Sequence, residues 1–201
     1  MKTPRRRFVN HAGLTWVECL VLLAILAVLF LLPMHPPMEQ SLTKGQMAQM
    51  LSNMKQLHLA TQQVALDGTT TGNTNLRWPG DRDGTFSNWV ASVAPDYLTP
   101  GDLRRLLSAP ERKVKARDQL ASNSTAVLVY AVKEESEGNV VFLSSANFTN
   151  TPAGGDPLKP DALPFGNKGF VVFRKAGDGA ILMPKQVGQT NVIGAFAPLC
   201  R

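Results

Sequence analysis

A single glutamate interrupts the most apolar stretch of this chain, and its position limits what the first thirty residues can become. Gly13-Leu14-Thr15-Trp16-Val17-Glu18-Cys19-Leu20 leads into Val21–Leu32, which carries no polar residue. As one helix, Leu14–Leu32 would extend roughly 28 Å, close to the hydrocarbon thickness of a bilayer. A carboxylate on such a helix is costly and is kept where it has a partner or a function. Upstream lie Lys2, Arg5, Arg6 and Arg7 with no acid among them. Cations in that place hold the N-terminal end on the cytoplasmic side.

The formal charge of +6 suggests at first a nucleic-acid or acidic-membrane partner. Its distribution argues otherwise. Removing residues 1–13 takes away four cations and no anion, so 21 − 4 = 17 cations face 15 anions, a balance of +2. The remaining basic cluster, Arg112, Lys113, Lys115 and Arg117, lacks interleaved aromatics and reads as a solvated loop. No nucleic-acid partner is expected. The two cysteines, Cys19 and Cys200, lie too far apart in character and position to suggest a disulfide framework.

Three readings of the N-terminus follow. A secretory signal peptide needs small residues after its apolar run, and Pro33-Met34-His35-Pro36-Pro37 offers no such site. A plain uncleaved anchor would tolerate Glu18 near the interface. The third reading uses more of the residues. A basic leader, Gly13, then Leu14-Thr15-Trp16-Val17-Glu18 and an apolar helix resemble the N-terminal signal of type IV pilins and type II secretion pseudopilins. The resemblance covers about 20 residues. It implies cleavage by a prepilin peptidase after Gly13 and methylation of the new N-terminus, Leu14. Thr15 and Glu18 match the family's threonine and fifth-position glutamate, whereas Leu14 and Trp16 stand where Phe and Leu are usual. It further implies sister pilin-like subunits, an inner-membrane assembly platform and the lipid bilayer as partners.

Three prolines within 33–37 predict a kink or break. A second helix is predicted over about Met38–Leu66. Met47, Met50, Leu51, Met54, Leu57, Thr61, Val64 and Ala65 form its apolar stripe, and Asp67-Gly68 reads as its stop. Residues 68–84 read as loop. Phe86, Trp89, Val90 and Val93 make a short helical face, and Thr99-Pro100-Gly101-Asp102 opens another short helix. Ala126–Lys133 and Val140–Ser144 predict one hairpin, Gly169–Lys175 and Ala180–Met183 a second.

Chemistry-bearing constellations are few. His11, His35 and His58 have no metal-ligand spacing, and His58 reads as a helix-flank residue. No nucleophile elbow, phosphate loop or C-x-x-C pair occurs, so no enzymatic activity and no obligate cofactor are expected. Asp81, Asp83 and Asp178 are weak calcium candidates; Asp81-Arg82-Asp83-Gly84 lacks the later carboxylate of a calcium loop, and an ordinary turn explains each.

The expected fold is therefore α+β and pilin-like: a long N-terminal helix, membrane-spanning in its first half and proline-interrupted, packed against an antiparallel sheet. The expected organisation is a leader (1–13), a transmembrane or filament-core helix (14–32), a proline break with an amphipathic helix (33–66) and a periplasmic head (67–201). The expected function is a structural subunit of a secretion pseudopilus or pilus-like filament in the bacterial inner membrane. The alternative is a membrane-anchored periplasmic binding module that never polymerises.

Overall fold

The computed structural model describes residues 15–31, 35–115, 120–148, 162–187 and 189–201. The chain divides into two compact units, Met1–Gln40 and Ser41–Arg201. In the first, α1 (Trp16–Leu31) is a 16-residue helix whose only charged side chain is Glu18. At 1.5 Å per residue it is about 24 Å long. Every described side chain from Thr15 to Ala27 is exposed, Trp16 to 80%.

No long apolar N-terminal helix is found among the described residues; two helices are present, and the second begins at His35 rather than near Met38. α2 (His35–Thr71) has 37 residues, and from Ser41 on it buries one side and exposes the other. Among the described residues no helix is long and apolar enough to cross a membrane. The expected interruption at Pro33 falls on residues 32–34, outside the described residues. Pro36 and Pro37 lie inside the first turn of α2, where backbone N–H groups need no intrahelical acceptor.

At its other end α2 runs five residues past the expected stop. Gly68 is helical, not a terminator. A Cβ there would stand 1.5 Å from the carbonyl oxygen of Leu76, so the glycine serves close approach of the following turn. Thr69 and Thr70 donate their hydroxyls to the Leu66 carbonyl, and Thr71 to that of Asp67, at 2.6–2.8 Å. These back-bonds carry the helix to Gly72, whose φ of +70° ends it.

The second unit packs the inward stripe of α2 on a sheet. Met47, Met50, Met54, Leu57, Thr61, Val64 and Ala65 are buried, as their spacing predicts, and Leu51 is half-buried. A short 3-10 turn (Pro79–Asp81) precedes α3 (Phe86–Val93), which buries Phe86, Trp89 and Val93. Trp89 Nε1 donates to the Thr61 hydroxyl at 3.0 Å and so ties α3 to α2. In α4 (Pro100–Leu106) the Thr99 hydroxyl caps the first turn, accepting from the Asp102 N–H at 3.1 Å. Leu103, Leu106 and Leu107 are fully buried.

Five strands form one sheet: β1 (Val127–Val129), β2 (Val140–Ser145), β3 (Phe170–Arg174), β4 (Gly179–Leu182) and β5 (Ala195–Phe196). The order β1-β2-β3-β4 is antiparallel throughout, so both expected hairpins form. β5 was not anticipated, and it pairs with β2 in parallel. β1 is shorter than the expected 126–133 because the C-terminal segment takes over as partner. Tyr130 bridges Leu199, Ala131 N–H donates to Pro198 at 2.7 Å, and Cys200 N–H donates to Val129 at 2.9 Å. The run Phe170-Val171-Val172-Phe173 does not alternate and is buried on both faces. Phe173 meets the ring of His58 on α2, whereas Phe170 stacks on Phe148 at 4.1 Å.

Candidate functional site

The residues singled out by the sequence do not converge on one place. Gly13 and Leu14 lie outside the described residues. Glu18 sits in the first turn of α1 and has a local partner: its Oε2 accepts from the Thr15 N–H at 2.8 Å and from the Thr15 hydroxyl at 3.0 Å. The Thr15 hydroxyl in turn stands 3.4 Å from the Glu18 N–H. This is the reciprocal arrangement of a capping box, which the sequence reading of Glu18 as a carboxylate in need of a partner did not foresee. Oε1 has no partner among the described residues.

The three candidate calcium carboxylates are each engaged elsewhere. Asp81 accepts from the Glu134 N–H at 2.7 Å. Asp83 accepts from the Asn88 amide and, at 3.4 Å, from the Thr85 hydroxyl. Asp178 pairs with Arg174 across the turn between β3 and β4. Among the described residues no three His, Cys, Asp or Glu side chains gather to hold a metal ion. Asp83 and Asp178 accept within their own loops, whereas Asp81 reaches a backbone N–H 53 residues away in sequence.

His58 is not a flank residue. It is 2% exposed, ringed by Trp78, Phe142 and Phe173 at centroid distances of 5.8, 6.0 and 5.1 Å. Its Nε2 lies 2.8 Å from the Lys175 carbonyl, an acceptor only, so the ring donates from Nε2. Burial pushes its pKa down, and the bond to Lys175 opposes that shift. The apolar stripe 54-57-61 alone placed His58 beside the seam; the aromatic cluster that seals it comes from three distant segments. Cys200 is fully buried, and burial, helped by the charge of Asp83, pushes its thiol up to about 12. Cys19 is exposed, and the two cysteines are free.

The concave surfaces carry the remaining chemistry. A groove of about 540 Å³ runs between the N-terminal half of α2 and the segment from α4 to Val114. Met50, Ala109, Pro110 and Val114 give it apolar walls. Gln46, Gln49 and Asn53 line it from α2, and Arg104, Arg105 and Lys113 face them; no carboxylate among the described residues lines it. Arg112, beside the groove, is held by backbone carbonyls, donating to Asn123 and, at 3.5 Å, to Leu163. The expected solvated loop is thus in part a structured cationic wall, although Arg117 lies outside the described residues. A second groove, about 510 Å³, lies along the C-terminal half of α2 and is lined by Leu59, Gln62, Leu66, Trp78, Glu134 and Lys175. The hydroxyls that line them, Ser108 in the first and Thr69 in the second, donate to the backbone carbonyls of Arg104 and Leu66.

No protein-family model matches the chain, and neither a curated protein nor a solved structure was found similar to it.

Proposed function

We propose that the chain is a pilin-like structural subunit, cut by a prepilin peptidase after Gly13 and methylated on Leu14. It assembles with sister subunits into a type II secretion pseudopilus or a pilus-like filament on an inner-membrane platform. The observation that carries this reading is the register of the N-terminus: a basic leader, Gly13, Thr15 and Glu18, followed by the apolar helix α1. The α+β build of the Ser41–Arg201 unit is compatible with it. So is the exposure of the described apolar side chains of α1, Trp16 to Ala27, since a contiguous exposed apolar surface marks a membrane or assembly contact.

The mechanism is assembly, not catalysis. α1 sits in the bacterial inner membrane with the leader cytoplasmic and the Ser41–Arg201 unit periplasmic. In a filament, α1 helices pack side by side through van der Waals contact. Cleavage frees the amine of Leu14, and Glu18 of an adjacent copy offers it a counter-charge. Removing either partner would strand the other charge in an apolar setting.

The capping box favours a second reading, in which Glu18 only fastens the first turn of α1 in a tethered module that does not polymerise. Glu18→Gln separates the two. Glutamine keeps an acceptor for the Thr15 N–H and removes the charge. On the filament reading, the Gln variant is inserted, cleaved and methylated but assembles as poorly as Glu18→Ala; on the capping reading it behaves as wild type. Mass spectrometry of the protein from its native host gives the prior test. A mature chain starting at methylated Leu14 is expected, and one that retains Met1 overturns the proposal.

A further inference from the structure

Among the described residues, the groove between α2 and α4 presents three cations and no acid. Its charges find little acidic compensation among the described residues, Arg104 donating only to the Pro100 carbonyl at 3.5 Å. Arg105 reaches Asp102 at 3.4 Å, with side chains 65% and 47% exposed, a pairing that exchanges readily. Arg104 Nε finds no acceptor among the described residues. Lys113 makes no ion pair among the described residues. The side-chain amides of Gln46, Gln49 and Asn53 opposite offer donors and acceptors of the kind a peptide main chain needs.

The same unit carries the complementary feature. The turn after Val132 reads Lys133-Glu134-Glu135-Ser136-Glu137. Its three glutamates are exposed. Glu135 makes only a 3.7 Å contact with Lys133 and is 81% exposed, and the carboxylates of Glu134 and Glu137 make no ion pair among the described residues. The turn is held closed by its own bonds: Lys133 N–H to the Ser136 hydroxyl at 3.0 Å and Ser136 N–H to the Lys133 carbonyl at 3.1 Å. Lys175 fastens it further, donating to the carbonyls of Glu134 and Ser136. A fastened turn loses little conformational freedom on docking.

Groove and turn cannot meet within one copy. The groove is lined by Gln49 of α2, whereas Glu134 lines the second groove beside Gln62. Those two glutamines are about 20 Å apart along the helix. We infer that the cationic groove receives the acidic turn Glu134–Glu137 of a second copy of this chain. Different patches meet in such a contact, so it is heterologous and propagates from copy to copy unless its rotation closes a ring. The offset along α2 makes it axial. It requires neither cleavage at Gly13 nor the Glu18 pairing, so it goes beyond the proposed function and stands or falls separately.

The test uses the full chain in detergent and charge reversal on each side. Arg104→Glu with Lys113→Glu reverses the groove; Glu134→Lys with Glu135→Lys and Glu137→Lys reverses the turn. Each set alone weakens self-association, followed by sedimentation, by at least about tenfold, and both sets in one chain restore it. Raising the salt weakens the wild type and the doubly reversed chain alike. A second measurement does not depend on how the reversed chains fold: with Cys19→Ala, the pair Ser136→Cys and Lys113→Cys forms an intermolecular disulfide ladder on mild oxidation, and Ser136→Cys with Ser122→Cys does not. Unchanged association in the single reversals, no recovery in the combined chain, or equal cross-linking of both cysteine pairs would overturn the inference.

Discussion

Alanine at Gly45 and alanine at Gly68 are the same substitution in the same helix, and their effects on stability should have opposite signs. Both positions lie inside α2, where alanine gains about 0.8–1.0 kcal/mol over glycine in helix propensity. At Gly45 a Cβ would meet nothing within 4 Å, so the whole gain is realised. At Gly68 it would stand 1.5 Å from the Leu76 carbonyl oxygen, 2.6 Å from its carbon and 3.0 Å from its Cβ. The obstacle is backbone, which cannot swing aside as a long side chain would. Relief requires moving the turn fastened by Leu76 N–H to Asn73 O at 3.1 Å and Asn75 N–H to Asn73 Oδ1 at 3.0 Å. Overpacking costs about 1–3 kcal/mol and a lost turn bond about 1 kcal/mol, which together exceed the propensity gain. Gly68→Ala should therefore lose about 2 kcal/mol, roughly 4–8 °C in Tm, and Gly45→Ala should gain roughly 2–4 °C. Thermal unfolding of the full chain in detergent, followed by the near-ultraviolet signal of the buried Trp78 and Trp89, reads both. Gly68→Asn sharpens the comparison. Asparagine tolerates a left-handed helix end but carries the same Cβ, so it should be as damaging as alanine at 68 and mild at Gly72. A stabilising Gly68→Ala, or a harmless Gly68→Asn, would refute the close approach and return the helix end to residue 67.

Two further outcomes follow from the core. His58 has its folded pKa below the unfolded value, so the unfolded chain takes up the proton first. Stability should be at its full value above about pH 6.5 and fall as the pH drops toward the folded pKa, by at most about 1.4 kcal/mol per pH unit. His58→Gln should flatten that slope, and an unchanged slope in urea titrations between pH 4 and 7 would count against a neutral buried ring. Trp89→Phe removes the donor to Thr61 while the Thr61 hydroxyl keeps its 2.9 Å bond to the Leu57 carbonyl. A loss of about 1–3 kcal/mol is expected, and a double-mutant cycle with Thr61→Val should show that the two changes are not additive.

The inward stripe of α2 was legible because helical periodicity is a local property: Met47, Met50, Met54, Leu57, Thr61 and Val64 fall on the side that apolar spacing assigns them. The two hairpins were legible for the same kind of reason, since β-branched runs flanked by turn residues pair with their neighbours in sequence. Gly68 misled because a glycine after an aspartate looks alike whether it ends a helix or makes room for a carbonyl eight residues on. The two-residue strand β5 has no pattern of its own and exists only because β1 leaves Val140 and Val141 of β2 unpaired on that side. Among the candidate sites, Asp83 and Asp178 were legible as turn residues, but the bond from the Glu134 N–H to Asp81 joins segments 53 residues apart and left no local trace.

Local order along the chain thus set the position of Glu18 on α1, the apolar seam of α2 and the strand pairs, because each depends on spacing within a few residues. Tertiary contact decided the rest. It buried His58 among aromatics from three segments and laid the C-terminal residues beside Tyr130. It also set a cationic groove and an acidic turn beside opposite halves of one helix. Such placements arise where residues far apart in the chain meet, and no local pattern encodes those meetings.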